Sequence, residues 1–156
     1  MVTPSFTKPV DDVLLVAGIL KRLKAGSLAS LSERIRCQKI QYFAQVLKVS
    51  SPYSFGLYLH GPYSPDLARD LFAMEQYSQT ILDAPFVSEE LEERFVQLQK
   101  FISNVKELRM LEITATLHWL VSEGYTKDSA DKKVSELKQA SAQELHKAHA
   151  SLGEIV

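Results

Sequence analysis

The chain has 156 residues, 46% of them hydrophobic, and a formal net charge of -1, enough to bury one core without disulfides or metals. Its single cysteine, Cys37, excludes an internal disulfide and a thiolate zinc cluster and suits a reducing, cytoplasmic setting. The longest apolar run, Val13 to Leu20, is too short to span a bilayer and follows Asp11 and Asp12, so neither an export signal nor a membrane partner is expected.

In chain order, Asp11 and Asp12 are expected to cap a first helix with Val13, Val16, Leu20 and Leu23 on one face, and Gly26 to end it. Ser30 and Glu33 form a capping-box pattern ahead of a second helix, about Leu31 to Leu47. Its Cys37, Ile40, Ala44 and Leu47 make an apolar stripe, broadened by Phe43 and Val46, while Arg34, Lys39 and Lys48 stay wet. After the Ser50-Ser51-Pro52 break, an aromatic, partly alternating run predicts one short strand at about 54 to 60, with Gly61-Pro62 reversing the chain. Ser64-Pro65 is a helix start, the hydroxyl as N-cap and the proline ring fixing φ where no amide donor is needed. The third helix, about 65 to 77, buries Leu67, Leu71 and Met74, with Phe72 and Tyr77 at its margin.

Residues 79 to 88 read as a small hairpin or an irregular loop. Ser88 then caps an amphipathic helix with Leu91, Phe95, Leu98, Ile102 and Val105 inward. The next helix, Leu108 to Glu123, has little continuous polar surface, its apolar residues running through to Leu120 and Val121, and belongs at the centre of the fold, with Gly124 ending it. Two short helices close the chain, one capped by Thr126 with Ala130, Val134 and Leu137 inward, the other opened by a Ser141/Glu144 capping box with Leu145, Ala148 and Leu152 inward. The expected fold is mainly α (α+β): one domain over residues 1–156, with a short strand or small hairpin, a winged-helix-like N-terminal half and a helical C-terminal half.

The charge is unevenly spread. Residues 1–64 hold eight Lys/Arg against three Asp/Glu, residues 65–100 hold three against eight, and the remainder seven against eight. Such bipolarity favours electrostatic docking between proteins over a uniformly basic nucleic-acid surface. The element order nonetheless suits a winged helix, so DNA is weighed as a partner. The third helix would enter the groove, but its Asp66, Asp70 and Glu75 outnumber Arg69 and disfavour phosphate contact. Arg34, Arg36 and Lys39 on the second helix could touch the backbone.

Chemistry finds little support in the residues. His60, Ser64 and Asp66 are the residue types of an acyl-transfer triad, yet neighbouring turn residues rarely meet its geometry, and a capped turn accounts for them. Cys37 lies on an apolar stripe and reads as a small buried hydrophobe. His146 and His149 are one turn apart without accompanying carboxylate or thiolate ligands, and His118 beside Trp119 reads as a satisfied core histidine. There is no glycine-rich phosphate loop, so no enzyme site and no cofactor are expected.

The segment Lys39-Ile40-Gln41-Tyr42-Phe43-Ala44-Gln45, followed by Phe55 to Leu67, then Leu111 to Leu120 and Glu136-Leu137-Lys138, resembles the YwgA-like group of bacterial and phage-associated proteins. The lysine and tyrosine helix followed by a Gly-Pro-Tyr turn is also similar to SocA-like (Panacea) antitoxin domains and to the C-terminal part of the DarG antitoxin. That resemblance implies a non-enzymatic domain that binds a protein partner, a toxin in the antitoxin case, and it falls on Lys39, Tyr42, Tyr58, Gly61, Pro62, Tyr63, Ser64 and Leu67. The long helical C-terminal half departs from the antitoxins. The same residues could instead serve structure alone, the tyrosines packing a turn whose backbone needs Gly61 and Pro62.

Overall fold

The computed structural model describes residues 5–25, 27–50, 52–75 and 88–155. Within them the chain forms α1 (Val10–Arg22), α2 (Leu31–Val46), β1 (Gly56–Tyr58), β2 (Gly61–Tyr63), α3 (Pro65–Glu75), α4 (Glu89–Asn104), α5 (Leu108–Ser122), α6 (Lys127–Lys138) and α7 (Ala142–Gly153). The expected mainly helical architecture with a small β element is what forms.

Serine and threonine caps start five of these helices. Ser30, Ser64, Ser88, Thr126 and Ser141 each accept a hydrogen bond from the amide three residues on, satisfying donors that the first turn leaves without an intrahelical partner. At Ser141 the reciprocal half is present as well, Glu144 accepting from the Ser141 amide at 3.0 Å. Helix α1 departs from expectation. Its N-cap is Pro9, whose carbonyl accepts from the amides of Asp12 and Val13. Asp11 and Asp12 lie inside the first turn, where negative charge still meets the positive end of the helix dipole.

Three of the C-termini share one device. Past α1, Lys24 takes a left-handed conformation (φ 56°) and the Ala25 amide returns to the Leu20 carbonyl at 2.8 Å; past α2, Lys48 does the same (φ 60°) with Val49 returning to Ala44 at 2.8 Å. Gly124 (φ 104°) closes α5 in this way, the role expected of it, and only there does the residue type suit the geometry. Gly26, expected to end α1, lies outside the described residues, and the helix has already closed before it.

Helix α5 is central, touching α2, β2, α6 and α7. One core gathers α1 to α5 around Phe43, Phe95, Leu98, Phe101 and Leu111, with the Phe43 and Phe101 ring centroids 4.5 Å apart. A second, on the other side of α5, joins Ile113, Leu117 and Leu120 to Ala130, Val134 and Ala148 of α6 and α7. Met110, Trp119 and Leu152 pack against both. Two side chains expected in the interior face water instead: Val121 is 46% exposed and Leu137 48%, both near helix ends where neighbouring elements no longer cover them.

The β element is a hairpin with a two-residue turn, not a single strand. Gly56 pairs with Tyr63, Leu57 with Pro62 and Tyr58 with Gly61, antiparallel, so the reversal falls at Leu59-His60 and Gly61-Pro62 belong to β2. The hairpin packs on α2 and α5. The hairpin or loop expected at 79 to 88 lies, apart from the Ser88 cap, outside the described residues, as does Tyr77. Among the described residues no helix is long and apolar enough to cross a membrane.

Candidate functional site

The site grows from how α2 holds the hairpin. Gln38 pairs both ends of its amide with one backbone unit, Nε2 donating to the Ser64 carbonyl at 3.0 Å and Oε1 accepting from the Ser64 amide at 2.9 Å. Beside it, Lys39 Nζ donates to the Pro62 carbonyl at 2.7 Å. Two consecutive side chains of α2 thus hold the end of β2 and the start of α3. Ser64 Oγ accepts from the Leu67 amide at 3.2 Å, and Leu67 is wholly buried beneath. The hydroxyl therefore caps α3.

Lys39 overturns the expectation of a wet lysine: it is 1% exposed. Its stem follows α2 under the hairpin, so the amine finds a carbonyl instead of water. Burial lowers the amine to about 8, opposed by the nearby Glu112 carboxylate and reinforced by Lys138. Asp70 is displaced from expectation too. Instead of presenting acid on the outside of α3 it is fully buried, accepting from the Thr7 amide and hydroxyl, both at 2.7 Å, and from the Tyr53 hydroxyl at 2.8 Å.

The hairpin tip sits on α5. Gly61 adopts φ 95°, and a Cβ there would stand 2.4 Å from Thr116 Oγ1 and 3.6 Å from the Glu112 carbonyl, so a left-handed backbone and a close approach together require glycine. Glu112 lies 3.5 Å from His60 Nδ1 and 3.5 Å from Lys138 Nζ. Lys138 also donates to the Leu59 carbonyl at 3.0 Å. Helix α6 thereby ties down the turn of a hairpin 79 residues away in sequence.

Above this polar floor, α2, α3 and the hairpin enclose a groove of about 350 Å³. Its walls include Leu31 and Ile35 of α2, Leu71 and Phe72 of α3, and Tyr58, Leu59 and Tyr63 of the hairpin. Four of these are unusually open for large apolar side chains: Leu59 is 84% exposed, Leu31 55%, Tyr58 54% and Phe72 53%. Scattered apolar exposure is ordinary, but several such residues around one concavity mark a binding surface. Tyr58 and Tyr63 meet edge to face, centroids 5.3 Å apart. The basic members of the lining are Arg34, Lys39 and His60.

The eight motif residues therefore occupy two levels. Lys39, Gly61, Pro62, Ser64 and Leu67 are buried, and so is Tyr42, whose hydroxyl meets His118 Nδ1 at 2.6 Å. Burial raises the Tyr42 hydroxyl and lowers the His118 imidazole, so the phenol donates and the neutral ring accepts. Tyr58 and Tyr63 alone of the eight turn to the groove with exposed surface. Gln38, Glu112, Lys138, Leu31 and Leu59, none of them among the eight motif residues, complete the site. The first three look like ordinary helix-surface polar residues until the hairpin is placed on them. Phe72, at the margin of the α3 stripe, is the one groove wall whose pattern hints at exposure.

The remaining candidates are accounted for by local contacts. His60 is directed to Glu112, while the Ser64 hydroxyl is engaged at the α3 cap. Cys37 Sγ donates to the Ala25 carbonyl at 2.8 Å, and burial pushes the thiol up to about 11. His149 Nε2 lies 2.6 Å from Asp131 Oδ1, tying α7 to α6, and His146 faces solvent. Among the described residues no group of three or more histidine, cysteine or acidic side chains could hold a metal ion.

The chain matches no family model, no curated protein and no solved structure.

Proposed function

We propose that this chain is a non-enzymatic protein-binding module of antitoxin or phage-defence type, related to the YwgA-like proteins and acting in the cytoplasm by occupying a partner's surface. The observation that carries this reading is the groove between α2, α3 and the hairpin, with Leu31, Tyr58, Leu59 and Phe72 exposed around it. Covering a large apolar side chain fully is worth about 1.5 to 3 kcal/mol, so a few such anchors give a partner substantial affinity. The motif resemblance supports the same reading, because Lys39, Tyr58 and Tyr63 line the groove and Gly61, Pro62 and Ser64 belong to the contacts that fix the hairpin.

A photo-crosslinking amino acid at position 59, expressed in the native host, tests the reading. One stoichiometric protein adduct is expected, and a toxin encoded beside the gene would be the strongest form of that result. An absence of any adduct, together with a salt-dependent shift of the chain on its own promoter DNA, would replace this reading with the winged-helix regulator.

A further inference from the structure

Resting on the protein-binding reading, we infer that the groove receives an amphipathic segment of the partner that presents a carboxylate among its apolar anchors, the acid meeting Arg34 and His60. Among the described residues the lining carries three basic side chains and no aspartate or glutamate, although residues of both signs surround it in the sequence. Lys39 is occupied with the Pro62 carbonyl beneath the groove, so it adds positive field from below and leaves direct contact to the other two. Arg34 gives one N–H to the Leu28 carbonyl at 3.0 Å. That bond steadies a guanidinium that has five donors in a planar fork suited to a carboxylate.

His60 stands at the opposite, hairpin side, its imidazole 41% exposed and its Nδ1 turned to Glu112 at 3.5 Å. A carboxylate entering the groove therefore meets cationic or donor groups from α2 and from the hairpin tip, while its flanking apolar side chains meet Leu59, Tyr58 and Phe72. A cationic segment would be repelled by the Arg34 guanidinium. Charge arranged this way selects between partners and fixes their register more than it adds raw affinity.

A random peptide library displayed on phage and selected on the full chain is the probe. Selected peptides are expected to carry Asp or Glu next to two or more large apolar residues, and Leu59→Ser should weaken them about tenfold or more. Because Leu59 is largely in water, that variant keeps its fold. Arg34→Glu should reverse the selected charge to Lys or Arg. If circular dichroism shows that variant unfolded, Arg34→Gln replaces it and should abolish the preference for acid. Peptides without charge preference, the same preference from wild type and the Arg34 variant, or no selected peptide would overturn the inference. Sodium decanoate shifting the NMR signals of groove amides, with no peptide able to displace it, would also overturn it, in favour of a small carboxylate ligand. A protein adduct at position 59 alongside any of these failures would leave the protein-binding reading standing and remove only the acidic segment.

Discussion

Replacing Lys39 with methionine removes a buried amine while keeping most of the side-chain volume. In the folded chain burial holds this amine at about 8, below the roughly 10.4 of an unfolded lysine. Between those values the unfolded chain binds more protons than the folded one, so the amine's contribution to stability rises with pH through that window. Below the folded value both states carry the charge and the full cost of burying it remains. Each pH step of one within the window is worth about 1.36 kcal/mol, so wild-type stability should rise by about 2 kcal/mol relative to K39M between about pH 7 and about pH 9.5. Urea unfolding of both proteins at a series of pH values measures this. The difference between the profiles isolates residue 39, because lysines and tyrosines elsewhere titrate in both. Parallel profiles, or a difference that falls with pH, would refute a destabilised buried ammonium and mean that Glu112 and the Pro62 carbonyl fully compensate its desolvation.

Gly61→Ala should destabilise the fold by about 2 to 4 kcal/mol, from a left-handed backbone and from overpacking against Thr116. Adding Thr116→Ala should recover the packing share only, as read by urea midpoints. Lys24→Gly and Lys48→Gly should each stabilise by about 0.5 to 1 kcal/mol, since both lysines hold the left-handed position that closes a helix; a lower melting temperature in either would contradict that assignment. Asp70→Ala should cost about 2 to 4 kcal/mol by leaving the Tyr53 hydroxyl and the Thr7 amide without their acceptor. Hydrogen exchange at Thr7 should accelerate with it, and an unchanged rate would show that Asp70 does not hold the N-terminal segment.

What could be read from the sequence follows from the range of the interactions involved. Capping is settled within four residues, so Ser30, Ser64, Ser88, Thr126 and Ser141 were legible, and the unbroken apolarity of α5 marked it as central. The hairpin was harder. Its strands are three residues each, too short for alternation to show, and Gly61 suggested a turn when its left-handed backbone is needed instead where the start of β2 crosses Thr116. Lys39 and Asp70 were misplaced for a common reason: a charged residue on an amphipathic helix normally faces water, and only a distant segment, the Pro62 carbonyl for one and Thr7 with Tyr53 for the other, makes burial tolerable. Apart from Phe72 at the margin of its stripe, the groove was invisible, because exposure of Leu31 and Leu59 is set by what fails to cover them, which no local pattern records.

The two levels of the site have one physical logic. A surface built to bind through exposed apolar side chains must hold them in place without letting them collapse into the core. Here the apolar groups stand on a backbone fixed by polar bonds: Gln38 and Lys39 from α2 hold Ser64 and Pro62, Lys138 from α6 holds the Leu59 carbonyl, and Gly61 is pressed on α5. Fixing the hairpin before any partner arrives lowers the ordering cost of association, which otherwise takes about 0.5 to 1.5 kcal/mol per immobilised side chain. On this account the buried motif residues matter for binding without touching a partner. Gln38→Ala should weaken a groove ligand mainly by faster dissociation, while Leu59→Ser removes a contact outright. The two effects should combine less than additively, because a loosened hairpin no longer presents Leu59 in one position.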